Sequence, residues 1–210
     1  TLYELLHVGL LEYVPFIILL LALFTISGGV RLTGALVGTP IVNLAIILIG
    51  TFLASWMGTT GAAMLLIRPL INANKHRKNI VHIIVFFIFL VANIGGSLTP
   101  LGDPPLFLGF LKGVDFFWTT TAMFVPMLIM IIALSIIFYF LDSYYLKKED
   151  IKVETPQEKL KLGIEGVFNL GLIVGVIGAV LISGFWKPHI SFEVYSGVHL
   201  ELQNLTRDIL

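Results

Sequence analysis

The chain has 210 residues, of which 57% are hydrophobic and 12% are charged, and its mean hydropathy is +0.98. So large an apolar fraction excludes an ordinary soluble domain, because the excess has to face lipid. Acidic and basic residues balance at 13 each, which gives no net charge to attract nucleic acid, and the sequence has no cysteine for disulfides or thiol chemistry.

Segments without charge and long enough to cross a bilayer recur along the chain. A helix needs about 20 largely apolar residues to cross a hydrocarbon core about 30 Å thick. Residues 13–30, 79–102, 116–141 and 166–186 meet this requirement. We therefore predict an all-α integral membrane protein in contact with the lipid bilayer, and we place it in the bacterial inner membrane.

A fifth charge-free segment, residues 32–67, does not fit a single crossing. As one helix it would be about 54 Å long, which is too long for one crossing and too short for two crossings with a turn. Residues 58–61 interrupt it, and Thr39-Pro40 is a good helix start, with threonine as N-cap and proline at the first helical position. The pattern favours a re-entrant helical hairpin over residues 39–72, with a single broken crossing as the alternative.

The second interruption lies in residues 93–105, where glycine and proline are too frequent for an α-helix to continue. Backbone groups freed at membrane depth cannot face lipid, so this stretch has to be buried in protein or line a polar cavity. Residues 106–111 then resume an apolar half-helix. We therefore predict a discontinuous, unwound helix over residues 79–112.

Basic residues cluster at residues 75–78 and 147–161, which the positive-inside rule assigns to the cytoplasm. The predicted organisation is a transporter repeat over residues 1–145 and a cytoplasmic charged loop over 146–163, followed by a transmembrane helix over 164–186. Residues 187–210 form an extramembrane, amphipathic stretch. Because the chain begins with threonine and stops after this stretch, we expect it to be a piece of a longer protein.

Two interrupted segments in one membrane chain predict a transporter site near the bilayer midplane. Half-helix N-termini offer N–H groups to anions, while hydroxyls and unwound carbonyls coordinate cations. A buried aspartate would hold a cation or take up a proton. The predicted cation and proton site, with Na⁺ as its metal ion, comprises Asp103, Thr59, Thr60, Asn93, Ser97 and Thr99. The backbone breaks are Gly58, Gly61, Gly95, Gly96, Gly102 and Pro104.

Each of these features also has a purely structural explanation. Asp103-Pro104 is also a good helix start, and residues 58–61 would allow close helix packing. Arg31 and Arg68 flank the hairpin, and Arg68 in particular would contact an anionic substrate, although arginines near span ends commonly extend to the interface.

His82 stands near a cytoplasmic span end, and we assign it to the interface rather than to a proton relay. The histidines show no metal-ligand spacing, and the sequence has neither a phosphate-binding loop nor a nucleophile elbow. We therefore predict no enzyme, no catalytic residue, no cofactor and no nucleic-acid partner. Na⁺ and H⁺ enter only as transported or coupling ions.

Residues 56–69, Trp-Met-Gly-Thr-Thr-Gly-Ala-Ala-Met-Leu-Leu-Ile-Arg-Pro, and 93–105, Asn-Ile-Gly-Gly-Ser-Leu-Thr-Pro-Leu-Gly-Asp-Pro-Pro, resemble the ion transporter superfamily. This group includes NhaD-type sodium/proton antiporters, citrate transporter-like proteins, arsenite permeases and dicarboxylate/sodium symporters, and the resemblance covers residues 1–186. It implies two inverted repeats, each with a re-entrant hairpin and an unwound helix that meet at a sodium and substrate site. The second repeat is missing from this sequence, so further sequence or a homodimer would have to supply it.

This chain differs from some members of the superfamily at residues that indicate the substrate. Dicarboxylate symporters carry Ser-Asn-Thr where this chain has Gly58-Thr59-Thr60, and serine where it has Asp103, which disfavours a di- or tricarboxylate. NhaD-type antiporters resemble this chain in having Gly-Asp at the loop. The resemblance thus implies secondary active Na⁺/H⁺ antiport. The alternatives are Na⁺- or H⁺-coupled transport of citrate or another organic anion, and a non-transporting membrane scaffold subunit.

Overall fold

The computed structural model describes residues 2–34, 36–149, 163–186, 188, 190–195 and 198–210. Its α-helices are α1 (Leu2–Val8), α2 (Val14–Gly28), α3 (Pro40–Met57), α4 (Thr59–Ala73), α5 (Val81–Phe87), α6 (Pro104–Leu111), α7 (Trp118–Lys148), α8 (Val167–Phe185) and α9 (Leu202–Ile209). A π-helical turn, Gly9–Tyr13, joins α1 to α2. The strands are β1 (Arg31–Thr33), β2 (Gly163–Glu165), β3 (Ser191–Tyr195) and β4 (Val198–Glu201).

Five helical segments of the described chain are long and apolar enough to cross a membrane: Tyr3–Gly28, Pro40–Met57, Val81–Leu98, Trp118–Lys148 and Val167–Phe185. The prediction of a helical membrane protein with several crossings is therefore confirmed. Large apolar side chains on the outside of these helices, as along α7, provide the surface that lipid requires.

The prediction of an all-α chain missed two small antiparallel sheets. Strand β1 pairs with β2, with Arg31 opposite Glu165, and β3 pairs with β4. Strands of three to five residues are too short to show the alternation of period two that marks a strand in sequence. Of the predicted charged loop, residues 150–162 lie outside the described residues.

Helices α3 and α4 form an antiparallel pair. The Thr39-Pro40 start is confirmed, because the Thr39 hydroxyl accepts a hydrogen bond from the Val42 N–H at 3.3 Å. Gly58 turns the chain with φ +79°, a conformation that favours glycine. At the other end of the pair, the Gly38 N–H donates to the Ala73 carbonyl at 2.8 Å, so the N-terminus of α3 and the C-terminus of α4 lie side by side.

Helix α5 continues through a π-helical turn, Ile88–Asn93, and a 3-10 turn, Ile94–Leu98. Helical geometry stops there and resumes at α6, leaving residues 99–103 as a non-helical loop. The interruption thus begins at Thr99, six residues after Asn93, where the predicted break begins, because the glycines at 95 and 96 are accommodated in the tighter 3-10 turn.

Two apolar clusters hold the bundle together. The larger joins α3, α4, α5 and α7 through side chains such as Ile47, Leu66, Phe87 and Phe138. The smaller joins α2, α6 and α8 through Leu19, Leu23, Phe107 and Val180. Because α4 contacts α3 on one side and α2 on the other, the turn between α3 and α4 lies at the junction of the two clusters.

Candidate functional site

The turn between α3 and α4, residues 58–61, lies against the 99–103 loop. The Thr59 N–H donates to the Gly102 carbonyl at 3.2 Å. A Cβ atom on Gly96 would lie 2.7 Å from Thr59 Cγ2 and 2.8 Å from the Gly102 oxygen, so the backbone at Gly96 approaches Thr59 and Gly102 this closely only because it carries no side chain. The structure therefore brings together the two interruptions of the sequence.

Hydroxyl groups satisfy the backbone carbonyls around this junction. Ser55 Oγ donates to the Gly95 carbonyl at 2.6 Å, and the Thr99 hydroxyl donates to the Ser55 carbonyl. Thr119 and Thr120 both donate to the Leu98 carbonyl, at 3.0 and 2.6 Å. Irregular backbone between apolar helices requires such partners. Ser55, Thr119 and Thr120 were not predicted, because a hydroxyl on an apolar helix gives no sequence signal of its target.

Two predicted ligands bond locally. Ser97 Oγ donates to the Ile94 carbonyl at 2.8 Å, and the exposed Asn93 donates through Nδ2 to the Ile88 carbonyl at 3.0 Å. Thr99 is buried, and its hydroxyl bonds to the Ser55 carbonyl of α3. By contrast, no hydrogen-bond partner of the Thr59 or Thr60 hydroxyl is found among the described residues. The cation role of all these side chains stays a prediction.

Asp103 stands at the N-cap position of α6 with extended backbone geometry. Its carbonyl accepts hydrogen bonds from the Leu106 and Phe107 N–H groups at 3.0 and 3.3 Å, while its exposed carboxylate makes no capping bond. The predicted helix start is therefore confirmed. Within the described part of the chain, no three His, Asp or Glu side chains gather as a metal site, so a cation here would rely on hydroxyl and carbonyl oxygens beside Asp103.

The N-termini of α4 and α6 differ in the N–H groups they offer. Helix α6 begins with Pro104 and Pro105, which have no N–H, and the next two N–H groups bond to the Asp103 carbonyl. At the start of α4, the described chain supplies no backbone acceptor for the N–H groups of Thr60 and Gly61. Free N–H groups at a helix N-terminus favour anions. At this junction, α4 is therefore the helix that can bind an anion.

Two cavities adjoin the turn. One, of about 390 Å³, lies between α2, the 99–103 loop and α6, and includes Leu23, Gly58 and Phe107 in its wall. The other, of about 480 Å³, lies between α4 and α5. Thr59 and Thr60 line both. Each cavity has the size of a small-molecule site and is mainly apolar apart from these threonines.

A second polar region lies at the opposite end of the α3–α4 pair. Asp142 on α7 is fully buried. Its carboxylate lies 2.6 Å from Arg77 Nη1 and 2.7 Å from His82 Nε2, and it accepts a hydrogen bond from Asn43 Nδ2 at 2.9 Å. Asn43 and Asn74 also bond to each other at 3.0 and 2.7 Å. We call Asn43, Asn74, Arg77, His82 and Asp142 the inner cluster.

The inner cluster was not predicted, and the interpretation of His82 as a residue of the membrane interface did not foresee its buried contact with Asp142. The His82 side chain is only 8% exposed and stacks on Tyr145 with ring centroids 4.7 Å apart. One signal was available, since Asp142 is an acidic residue in an otherwise apolar run, and such residues commonly face the bundle interior and pair.

Glu149, just beyond α7, extends the inner cluster to the surface. Its Oε1 accepts hydrogen bonds from the Asn79 N–H and Nδ2 at 2.6 and 2.7 Å, and its Oε2 lies 3.7 Å from Arg77 Nε. Burial raises the pKa of the Glu149 carboxyl, but the Asn79 hydrogen bonds and the Arg77 charge outweigh burial and hold this pKa below its ordinary value.

Arg68, the predicted anion contact, does not line either cavity at the turn. It lines a third cavity with Arg31 further along α4, towards the inner cluster. The structure thus separates Arg68 from Thr59, Thr60 and the 99–103 loop, with which the sequence analysis had grouped it.

Five membrane-length helical segments around a polar interruption define a multi-span integral membrane protein. Residues 1–210 match a protein family described as "Putative citrate transport", and the chain belongs to this family. The match confirms the citrate transporter-like part of the predicted resemblance, but it does not extend to the NhaD-type specificity. No curated protein and no solved structure matches the chain.

Proposed function

We propose that the protein is a secondary transporter of citrate or a closely related organic anion, coupled to Na⁺ or H⁺. Membership of the citrate transport family supports the substrate class. The observation that carries the proposal is the start of α4, where Thr60 and Gly61 line the first cavity and their N–H groups have no backbone acceptor in the described chain. A carboxylate would accept from these groups, favoured by the positive end of the helix.

The proposal includes a re-entrant hairpin formed by α3 and α4. Two observations support it. The N-terminus of α3 lies close to the C-terminus of α4, where Asn43 and Asn74 bond to each other, and the chain turns sharply at Gly58. It also includes a discontinuous helix in which the 99–103 loop separates Val81–Leu98 from α6. In this arrangement the α3–α4 turn and the loop meet inside the bundle rather than at its surface, as a substrate site in a transporter requires.

Na⁺/H⁺ antiport, the function that the superfamily resemblance implies, is the second candidate. The observation that favours it is the Asp103 carboxylate, which is not used to cap α6. A carboxylate next to unpaired hydroxyls would exchange a sodium ion for a proton. In this second mechanism no organic anion is needed.

The test is transport by the protein in proteoliposomes. We expect uptake of labelled citrate when a Na⁺ or pH gradient is imposed, and none without a gradient. If Na⁺ instead collapses a preset pH gradient in the absence of citrate, and Asp103→Asn abolishes that effect, antiport replaces citrate transport as the function.

Thr60→Pro tests the N–H group directly, because proline removes the donor and is tolerated in the first helical turn. Loss of one hydrogen bond to a charged group corresponds to a rise of about tenfold or more in the KM for citrate. Thr60→Val is the matched control, since it removes the hydroxyl and keeps the N–H. Equal KM values in the two variants, with folding confirmed by thermal melting, would refute the N–H assignment.

A further inference from the structure

The third cavity, of about 550 Å³, lies between the end of α2, strand β1 and the second half of α4. We call it the inner cavity. Its polar lining consists of Ser27, Arg31, Thr33, Arg68, Asn72 and Glu165. It is therefore unlike the two cavities at the α3–α4 turn, which are walled mainly by apolar side chains.

The two arginines of the inner cavity come from different elements, Arg31 from β1 and Arg68 from α4. Among the described residues, neither has a carboxylate oxygen within 4.0 Å. Glu165 lies opposite Arg31 in the β1–β2 pairing, yet it too forms no ion pair within that part of the chain. Both arginine side chains are exposed to solvent, and two like charges that line one cavity attract an anion between them.

Ser27 lies between the inner cavity and α4. The side chain is fully buried, and a Cβ added to Gly61 would meet both its Oγ and its Cβ, so the hydroxyl faces the first turn of α4. The accessible polar side chains of the inner cavity are therefore those of β1 and of the second half of α4, such as Arg31, Arg68 and Asn72.

The position of the inner cavity sets the side of the membrane that it faces. Asn72, in its wall, is near the end of α4 and just precedes the basic residues 75–78, which the positive-inside rule assigns to the cytoplasm. An anion leaving the α3–α4 turn for the cytoplasm would pass along α4 to this cavity.

From this geometry we propose that the inner cavity is a second anion-binding site, which takes a small polycarboxylate on the cytoplasmic side of the α3–α4 turn. Arg31 and Arg68 bind its carboxylates, and Asn72 donates a hydrogen bond to it. Guanidinium groups suit this ligand because each can donate two parallel hydrogen bonds to one carboxylate. The Glu165 carboxylate competes with the ligand for Arg31, so that the ligand can dissociate. The identity of the ligand rests on the proposed function, but its binding does not require transport.

The experiment is calorimetric titration of the detergent-solubilised protein with tricarballylate, a tricarboxylate without the hydroxyl of citrate. We expect Arg68→Gln and Arg31→Gln each to weaken binding at least tenfold, Arg68→Lys to recover part of the loss, and Glu165→Gln to tighten binding. Lys112→Gln removes one positive charge at the Glu12 ion pair, outside the inner cavity, and should leave affinity unchanged. Unchanged affinity in both arginine-to-glutamine variants would overturn the proposal.

A second measurement does not depend on how the variants fold. Phenylglyoxal modifies accessible arginines, and mass spectrometry reports the modified positions. Tricarballylate should protect Arg31 and Arg68 of the wild-type protein at least fivefold, relative to the same protein treated without it. Equal modification with and without ligand contradicts the inner site. If protection occurs but proteoliposomes transport no citrate, the inner site stands and the proposed function fails.

Discussion

The two polar regions of this bundle are built in opposite ways. At the α3–α4 turn, backbone groups, glycines and hydroxyls meet, and the N–H groups of Thr60 and Gly61 have no backbone acceptor in the described chain. In the inner cluster, the Asp142 carboxylate has three side-chain partners around it. A region with unused donors can bind and release a ligand, whereas one whose groups bond to each other fixes structure. The turn is thus the proposed substrate site, and the inner cluster supports the fold.

The largest expected effect comes from breaking the inner cluster with Asp142→Asn. The substitution removes the nearer charge partner of the buried Arg77 and leaves only Glu149, at 3.7 Å; loss of one member of a buried pair costs about 3 to 5 kcal/mol. We expect a corresponding drop in the free energy of unfolding, measured by denaturant titration in detergent. Asp115→Asn is the matched control, because Asp115 is exposed and its acceptor oxygen, which caps the Phe117 N–H at 2.8 Å, is retained. Equal losses in both variants would contradict a supporting role.

The next effect tests the close approach at the α3–α4 turn. Gly96→Ala places a methyl group against Thr59 and the Gly102 carbonyl, and such overpacking costs about 1 to 3 kcal/mol. Citrate uptake should fall more steeply than stability, since the displaced groups line the candidate site. Gly175→Ala on α8 is the control, because an added Cβ there has no atom within 4 Å in the described structure. Uptake that survives Gly96→Ala would remove the turn from the transport mechanism.

The smallest effect concerns the surface end of the inner cluster. The lowered pKa of Glu149 means that its ionised form stabilises the fold. This contribution is complete above the ordinary glutamate pKa, about 4.3, and is lost as the pH falls through the lower pKa of the folded state. We expect Glu149→Gln to lower the melting temperature slightly at pH 7, and the difference from the wild type to shrink as the pH approaches 4 and below. A difference that is constant with pH would exclude the ionised form as its source.

Local sequence signals predicted the features that depend on neighbouring residues. The Thr39-Pro40 start of α3, the turn at Gly58 and the start of α6 at Pro104 all lie where short-range rules placed them. These rules work because a cap, a proline or a positive φ is decided within one helical turn.

Contacts between distant segments could not be predicted in the same way. The inner cluster unites Asn43, Arg77, His82 and Asp142, which come from separate parts of the chain. In the linear sequence Arg77 belongs to a basic run and His82 to a span end, so each has an adequate local explanation.

The amino-acid sequence by itself determined the helical membrane class, the approximate spans and the two interruptions, because burial in lipid demands apolar length and glycine and proline end helices locally. Only the tertiary structure decided which interrupted backbones meet. It also decided which N–H groups keep no acceptor among the described residues, and that Asp142 rather than Asp103 is buried among charged partners. The physical reason is that a hydrogen bond or ion pair depends on distance in space, and distance along the chain does not fix it.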